Sequence, residues 1–312
     1  MKIAAISMVK NESDIIELFI KINSRFFDAI YILDHGSTDS TAQIVRLMKK
    51  SGYNVYYTLL SDKIYNQSKI TTSAIRQIAH LDLYDYLMPL DADEFIPDEQ
   101  IDFIKDFLRE RQGNLDIGYF PWKTYCPINR RYFEAEAPLY DNFKARRIEV
   151  SQFYKVIVTK RLGKFCTITM GNHDITTQEQ ISGLKKHIVP SFLIHVPIRS
   201  QEQIVSKAIL GSHSFKLKKD RVPGEGFHWD ELTQQIREKY YSISDEMLFQ
   251  VAANYAVPKQ KWIKNQSIND VIEVACNNIG RAEDSIEFVE LAKINLLRNF
   301  DMHINELITN LV

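Results

Sequence analysis

The first hundred residues alternate between short apolar runs and amphipathic stretches. "KIAAISMV" is a continuous run rich in β-branched residues, and in "NESDIIELFIKINSRF" the side chains Ile15, Ile16, Leu18, Phe19 and Ile22 recur at helical spacing behind Asn11 and Ser13. "AIYILD" repeats the strand signal and "GSTDSTAQIVRLMKK" opens a helix with Ser, Thr and Asp capping chemistry. "NVYYTLL" reads as a third strand, "QSKITTSAIRQIAHL" as a third helix and "YDYLMPLD" as a fourth strand. Strands alternating with helices predict right-handed crossovers and an α/β fold, a mostly parallel central sheet with helices on both faces.

From about residue 115 the pattern loosens into strands such as "LDIGYFPW", "YKVIVTK", "FCTITM" and "SFLIHV", expected to extend the sheet in mixed directions. After residue 200 it reads as helices: "DELTQQIREKYY", "SDEMLFQVAANYA", "INDVIEVACNNI" and "SIEFVELAKINLL". The expected organisation is a sheet domain over 1–200 and a mainly helical region over 201–312 packed on it. In open α/β sheets ligands bind outside the carboxyl ends of the strands. The polar clusters "KNES", "DHGSTD" and "DADE" all fall at such ends, so three segments distant in sequence should meet on one rim.

Charge narrows the partners. With 39 Lys+Arg against 40 Asp+Glu the formal net charge is −1, so no global field favours nucleic acid, and a charged ligand must be held locally. Cys126, Cys166 and Cys276 lie far apart without C-x-x-C spacing, which fits reduced thiols rather than a disulfide framework or a zinc site. No run approaches the ~20 apolar residues of a membrane span, and the N-terminal run is short for a signal peptide. The expectation is a soluble cytoplasmic protein, with peripheral contact at the inner face of a membrane left open.

The stretch "MPLDADEFIP" crowds Asp91, Asp93 and Glu94 at a strand end, where the three charges repel one another unless a cation meets them. Two carboxylates on a short loop can point at one ion, and hard oxygen ligands suit Mg2+ or Mn2+ better than zinc. The alternative is an acidic helix start, a role for which Asp98 and Glu99 are better placed. In "DHGSTDST", Asp34 could accept hydrogen bonds from a base or ribose, Gly36 supplies a turn, and amides at the helix start could meet a phosphate. Ordinary capping accounts for Ser37, Thr38 and Asp39 but not for Asp34, His35 and Gly36.

In that order and spacing, "MVKNESDII", "ILDHGSTDST" and "PLDADEFI" resemble glycosyltransferase family 2 and related nucleotide-sugar transferases of the GT-A fold, in their bacterial branch. The resemblance is close over about the first hundred residues and looser through "GNHDI", "HVPIRSQEQ" and "GEGFHW". It implies a nucleotide-diphosphate sugar as donor, a UDP-sugar first, with Asn11 and Glu12 bordering the nucleotide, Asp34 on base or ribose, and Arg76 approaching the donor. Asp91 would touch ribose or metal, Asp93 would hold Mn2+ or Mg2+, and His195 would complete the metal shell, with His173 competing for that duty. Many members carry a second aspartate where this chain has His35, which leaves base recognition open.

The implied chemistry is an inverting transfer to a glycan or lipid-linked hydroxyl, in synthesis of a bacterial surface polysaccharide or lipooligosaccharide. It needs a base, for which "MGNHDIT" offers Asp174 and His173; the alternative for Asp174 is a turn residue capping its own backbone. His228 and Trp229 sit in "VPGEGFHWDE" and are read as a lid or acceptor contact, or else as a helix anchor. Trp122 and Tyr125 are weaker acceptor-side candidates. A dehalogenase-type phosphatase would require a threonine soon after Asp93, where Glu94, Phe95 and Ile96 stand, and a nucleotidylyltransferase would open on a glycine-rich loop absent from "SMVKNESD". A non-catalytic module derived from a transferase is the remaining alternative; retention of both acids favours activity.

Overall fold

The computed structural model describes residues 1–61, 65–127, 145–177, 183–216, 227–238, 243–257 and 272–274. The first half alternates as the periodicity requires: β1 (Ile3–Val9), α1 (Ile16–Asn23), β2 (Ala29–Asp34), α2 (Thr41–Lys50), β3 (Val55–Leu59), α3 (Gln67–His80) and β4 (Tyr86–Pro89). These strands lie parallel in the order β3-β2-β1-β4. β1 is buried along almost its whole length because both its faces are covered. Ile3 and Ala5 pack with Ile16, Phe19 and Ile20 of α1 and with Ile44 and Met48 of α2, whereas Ala4 and Ile6 pack with Ile75, Ile78 and Ala79 of α3. The period-two alternation of one strand therefore feeds two cores, one on each side of a mixed α/β sheet.

The chain continues through β5 (Glu94–Phe95), α4 (Ile101–Glu110), β6 (Ile117–Cys126), β7 (Ala145–Arg147), β8 (Tyr154–Thr159) and α5 (Lys160–Gly163). Next come β9 (Thr167–Ile168), β10 (Ile175–Thr176), β11 (Lys186–Ile188), β12 (Leu193–His195), α6 (Gln201–Lys216), α7 (Phe227–Glu238), α8 (Asp245–Ala253) and β13 (Ile272–Val274). β8 joins the sheet antiparallel to both β4 and β6, and β12 lies parallel to β6 and antiparallel to β5. A third apolar cluster joins Cys126 and Ile198 to Ile204, Ala208, Ile236, Leu248 and Phe249 of α6, α7 and α8.

Three expectations are corrected. "FCTITM" does not extend the main sheet; β9 pairs only with β10, because Thr72 and Ser68 of α3 take up the amide and carbonyl of Ile168 at 2.9 and 2.5 Å. Within "INDVIEVACNNI", residues 272–274 form a strand against β7, since the alternation around Ile272 and Val274 finds an open strand edge to pair with. The helix expected from Asp230 begins at Phe227, so His228 and Trp229 fall in its first turn rather than in a loop. The stretch "SIEFVELAKINLL" and residues 217–226 before α7 lie outside the described residues.

The loops leaving β1 and β2 are fastened together by side chains from one loop bonding backbone of the other. Asn11, in the left-handed region at φ 57°, donates its N–H to Ser37 Oγ at 2.9 Å and accepts the Thr38 N–H on Oδ1 at 2.8 Å. The Glu12 N–H donates to Thr41 Oγ1 at 2.9 Å. Asp39 accepts from the Ser13 N–H at 3.0 Å and from the Thr41 N–H and hydroxyl at 2.9 and 2.5 Å. Asp39→Ala strands the first-turn amides of two loops, so a loss of about 2–3 kcal/mol is expected. The check is calorimetric melting, where a fall of at least ~5 °C is predicted.

Candidate functional site

The latched loops and the turn after β4 meet on one rim, as the register dictates. Val9 pairs with Asp34 and Ile6 with Pro89, so "KNES", "DHGSTD" and "DADE" leave the sheet side by side. Asp34 is fully buried there; its carboxylate accepts the Ser37 N–H at 2.7 Å and the Tyr57 hydroxyl at 2.8 Å. Burial and the adjacent Asp34 carboxylate push the Tyr57 hydroxyl up to about 12, which keeps it a donor. Gly36 follows in the left-handed region at φ 76°, with nothing within 4 Å of where a Cβ would stand.

The acids after β4 are met by cations of this chain. The Lys155 ammonium, projected from β8 and wholly buried, bonds Asp91 and lies 3.2 Å from Glu94. Asp91 also accepts Gln67 Nε2 of α3 at 3.1 Å and Asn172 Nδ2 at 3.2 Å. Asp93 faces Lys207 Nζ of α6 at 3.3 Å, Arg199 Nη1 at 3.8 Å and His195 Nε2 at 3.7 Å. Arg199 is fixed by Asp14 at 2.7 and 3.0 Å and by Glu12 at 2.6 Å, so it ties the loop after β1 to the start of α6. Lys155, Arg199 and Lys207 were not among the residues the sequence singled out. Their signal was a lone basic residue inside an otherwise apolar run, as in "YKVIVT", "VPIRS" and "IVSKAIL".

In this network five carboxylates, those of Glu12, Asp14, Asp91, Asp93 and Glu94, face three permanent cations. An excess of negative charge remains, and it is visible in the acids. Burial pushes Glu12 up to about 7 against the pull of Arg199 and Lys207, and burial raises Glu94 well above the ordinary glutamate range despite Lys155. Burial does not prevail at Asp93, where the Lys207 ammonium and the Arg199 guanidinium hold the carboxyl well below its usual range. His195 stacks on Trp122 with centroids 4.2 Å apart, and burial holds its imidazole down to about 3, hence neutral with a lone pair to lend.

Among the described residues no three His, Cys, Asp or Glu side chains gather as a metal cage, because Asp91 is turned onto Lys155. Asp93 and His195 form a two-ligand pair instead. Their 3.7 Å separation is long for a hydrogen bond, His195 Nδ1 and Asn172 Oδ1 are buried without a hydrogen-bond partner, and the carboxyl groups of this network outnumber its cations. Mg2+ and Mn2+ accept such partial shells when phosphate oxygens and water complete them. The residues present fit such an ion.

The "GNHD" turn divides its candidates. Asn172, at φ 60°, and His173 face the Asp91 side; His173 Nδ1 lies 2.8 Å from the Tyr154 carbonyl, which places its proton there and leaves Nε2 as acceptor. Asp174 is exposed, and its carboxylate takes the Tyr119 hydroxyl at 2.7 Å and the Ile175 N–H at 2.8 Å, the turn-capping alternative. Arg76 is spent elsewhere: its guanidinium bonds the Phe165 and Cys166 carbonyls and the Thr167 hydroxyl at 3.1, 3.0 and 3.2 Å, along an open groove beside α3. Tyr125 is buried in the core and Trp122 is a wall between His173 and His195 rather than an exposed platform.

No family model matches the sequence, and no curated protein matches it. Among solved structures the chain is similar to S. aureus TarS (16% identity, 83% of this chain and 75% of that one, TM-score 0.40). It is also similar to the mannosyltransferase PcManGT from Pyrobaculum calidifontis in complex with GDP-Man and Mn2+ (15%, 83% and 76%, TM-score 0.38). A third is glucosyl-3-phosphoglycerate synthase from Mycobacterium tuberculosis with Mn2+, UDP and glucosyl-3-phosphoglycerate (13%, 62% and 71%, TM-score 0.35). No helix among the described residues is long and apolar enough to cross a membrane.

The charge balance makes stability depend on pH. The folded chain keeps a proton on Glu12 where the unfolded chain, with a glutamate near 4.5, has lost it, so this contribution to stability falls as pH rises from 4.5 through about 7, and the raised Glu94 acts in the same direction. Lys155→Met removes one of three cations and should cost about 3–5 kcal/mol at pH 8. The loss is expected to be smaller at pH 5, because protonation relieves the carboxylates that Lys155 no longer meets. Urea denaturation at the two pH values measures this; equal losses would show that Lys155 does not govern the acids.

Proposed function

We propose that the protein is a glycosyltransferase that moves a sugar from a nucleotide-diphosphate donor to a hydroxyl group, with a divalent cation held at Asp93. The observation that carries the reading is the meeting of Asn11, Glu12, Asp34, Asp91, Asp93 and His195 at the carboxyl ends of parallel strands. Asp34 sets the nucleoside side of the rim by holding the Ser37 turn and the Tyr57 hydroxyl in place, Asp91 faces the ribose side, and Asp93 with His195 holds Mn2+ or Mg2+. When bound, such an ion neutralises the charge that develops on the departing nucleoside diphosphate. Lys155 keeps the Asp91 carboxylate oriented throughout.

In our reading the transfer is inverting, so a proton acceptor stands opposite the leaving group. His173 suits that role better than Asp174, because its Nε2 lone pair is free of the Tyr154 contact while the Asp174 carboxylate is engaged by Tyr119. The acceptor we propose, on the resemblance of the three motifs, is a glycan or lipid-linked hydroxyl in bacterial surface polysaccharide synthesis, reached by a protein working at the cytoplasmic side of the membrane. His228 and Trp229, at the start of α7, remain our candidates for closing the acceptor side.

Thermal melting against UDP-, GDP-, CMP- and dTDP-sugars, with and without Mn2+, tests the reading. One nucleotide sugar at ~100 times its dissociation constant is expected to add about 2.7 kcal/mol of stability only when Mn2+ is present. Asp93→Asn should abolish that gain while melting as a folded protein. Absence of a metal-dependent gain with every nucleotide would overturn the proposal.

A further inference from the structure

The cations around Asp93 differ in how firmly they are held. Arg199 is almost wholly buried and committed to Asp14 and Glu12, and Lys155 is wholly buried between Asp91 and Glu94. Lys207 keeps 27% of its side chain exposed, and among the described residues Asp93 Oδ2, at 3.3 Å, is its hydrogen-bond acceptor. It stands against the second oxygen of a carboxylate whose first oxygen faces the buried His195 ring, and that ring's Nδ1 has no hydrogen-bond partner. Asp93 is itself only 5% exposed, so it stays ionised only with a cation beside it; Lys207 is the nearer one, since Arg199 Nη1 stands 3.8 Å away and is shared with Asp14 and Glu12.

Resting on the glycosyltransferase reading, we propose that Lys207 is a placeholder for the divalent cation. Its ammonium occupies the position beside Asp93 while the donor site is empty, and it yields that position when the metal enters with a nucleoside diphosphate. Its flexible four-carbon stem then lets the ammonium move to the phosphate oxygens without a shift of α6. The displaced charge is not wasted, since the diphosphate brings the negative groups that receive it. Metal and nucleotide consequently bind as a pair: metal alone must expel Lys207 into a site with no phosphate to meet it.

Titration with Mn2+, read by the electron paramagnetic resonance signal of the free ion, tests this with and without UDP or GDP. Lys207→Met is expected to bind Mn2+ alone about tenfold more tightly than the natural chain, the equivalent of one lost partly buried ion pair. The same variant should bind the nucleoside diphosphate more weakly at saturating Mn2+, and Lys207→Arg, which keeps the charge, should resemble the natural chain in both. Circular dichroism checks that the variants are folded. If Lys207→Met binds Mn2+ alone no more tightly, while the natural chain still binds Mn2+ with a nucleoside diphosphate and Asp93→Asn does not, the placeholder role is overturned and the glycosyltransferase reading stands. If the natural chain binds no Mn2+ with either nucleotide, both are overturned.

Discussion

Asp93 and Glu94 are buried carboxylates side by side at the end of a strand, and the rest of the molecule is arranged around making that tolerable. An ionised acid out of water needs a cation at contact distance. The parallel half of the sheet supplies the acids and none of the three cations that meet them: Lys155 comes from an antiparallel strand, Arg199 from the segment after β12, and Lys207 from α6. The second half of the chain is thus the electrostatic complement of the first. Packing follows the same division, since two apolar clusters build the two faces of the sheet and a third fastens α6, which carries Lys207, to α7 and α8.

The parallel half was legible because each strand is a continuous apolar run and each helix an amphipathic one, patterns that both faces of a covered sheet impose directly. Asp34 and the Asp91, Asp93 and Glu94 cluster were legible for the complementary reason: charge placed at the end of a buried strand contradicts the pattern. The counter-charges were not. Lys155 sits between Tyr154 and Val156 in a strand that reads as apolar, and only the antiparallel pairing of β8 with β4 brings it under Asp91. A periodicity argument sees which face a residue occupies and not what waits across the sheet.

Two local misreadings have the same origin. Residues 272–274 carry side chains that satisfy either a helix or a strand, and the deciding partner, the edge of β7, lies more than a hundred positions earlier. "FCTITM" reads as a sheet strand until Ser68 and Thr72 of α3 bond the backbone of Ile168. Hydroxyls on a helix face can bind a strand's backbone as a neighbouring strand would, a possibility invisible in composition. At "GNHD", the spacing named a turn bearing two candidate groups, and it is partners from distant strands, the Tyr119 hydroxyl on Asp174 and the Tyr154 carbonyl on His173, that orient them.

The Arg199 clamp has a consequence for how the chain comes to its structure. Its bonds to Asp14 span 185 positions, so they close one of the longest loops in the molecule. Contacts of such high sequence separation form late, after local strands and helices have condensed. During synthesis from the N-terminus, the segments through β5 emerge with their acids and without Lys155, Arg199 or Lys207. The early half of the protein is then a self-repelling intermediate at neutral pH, and its rim stays hydrated and open. The rim becomes dry only when the last cation arrives, so its acids keep their water until the second half of the chain has been made.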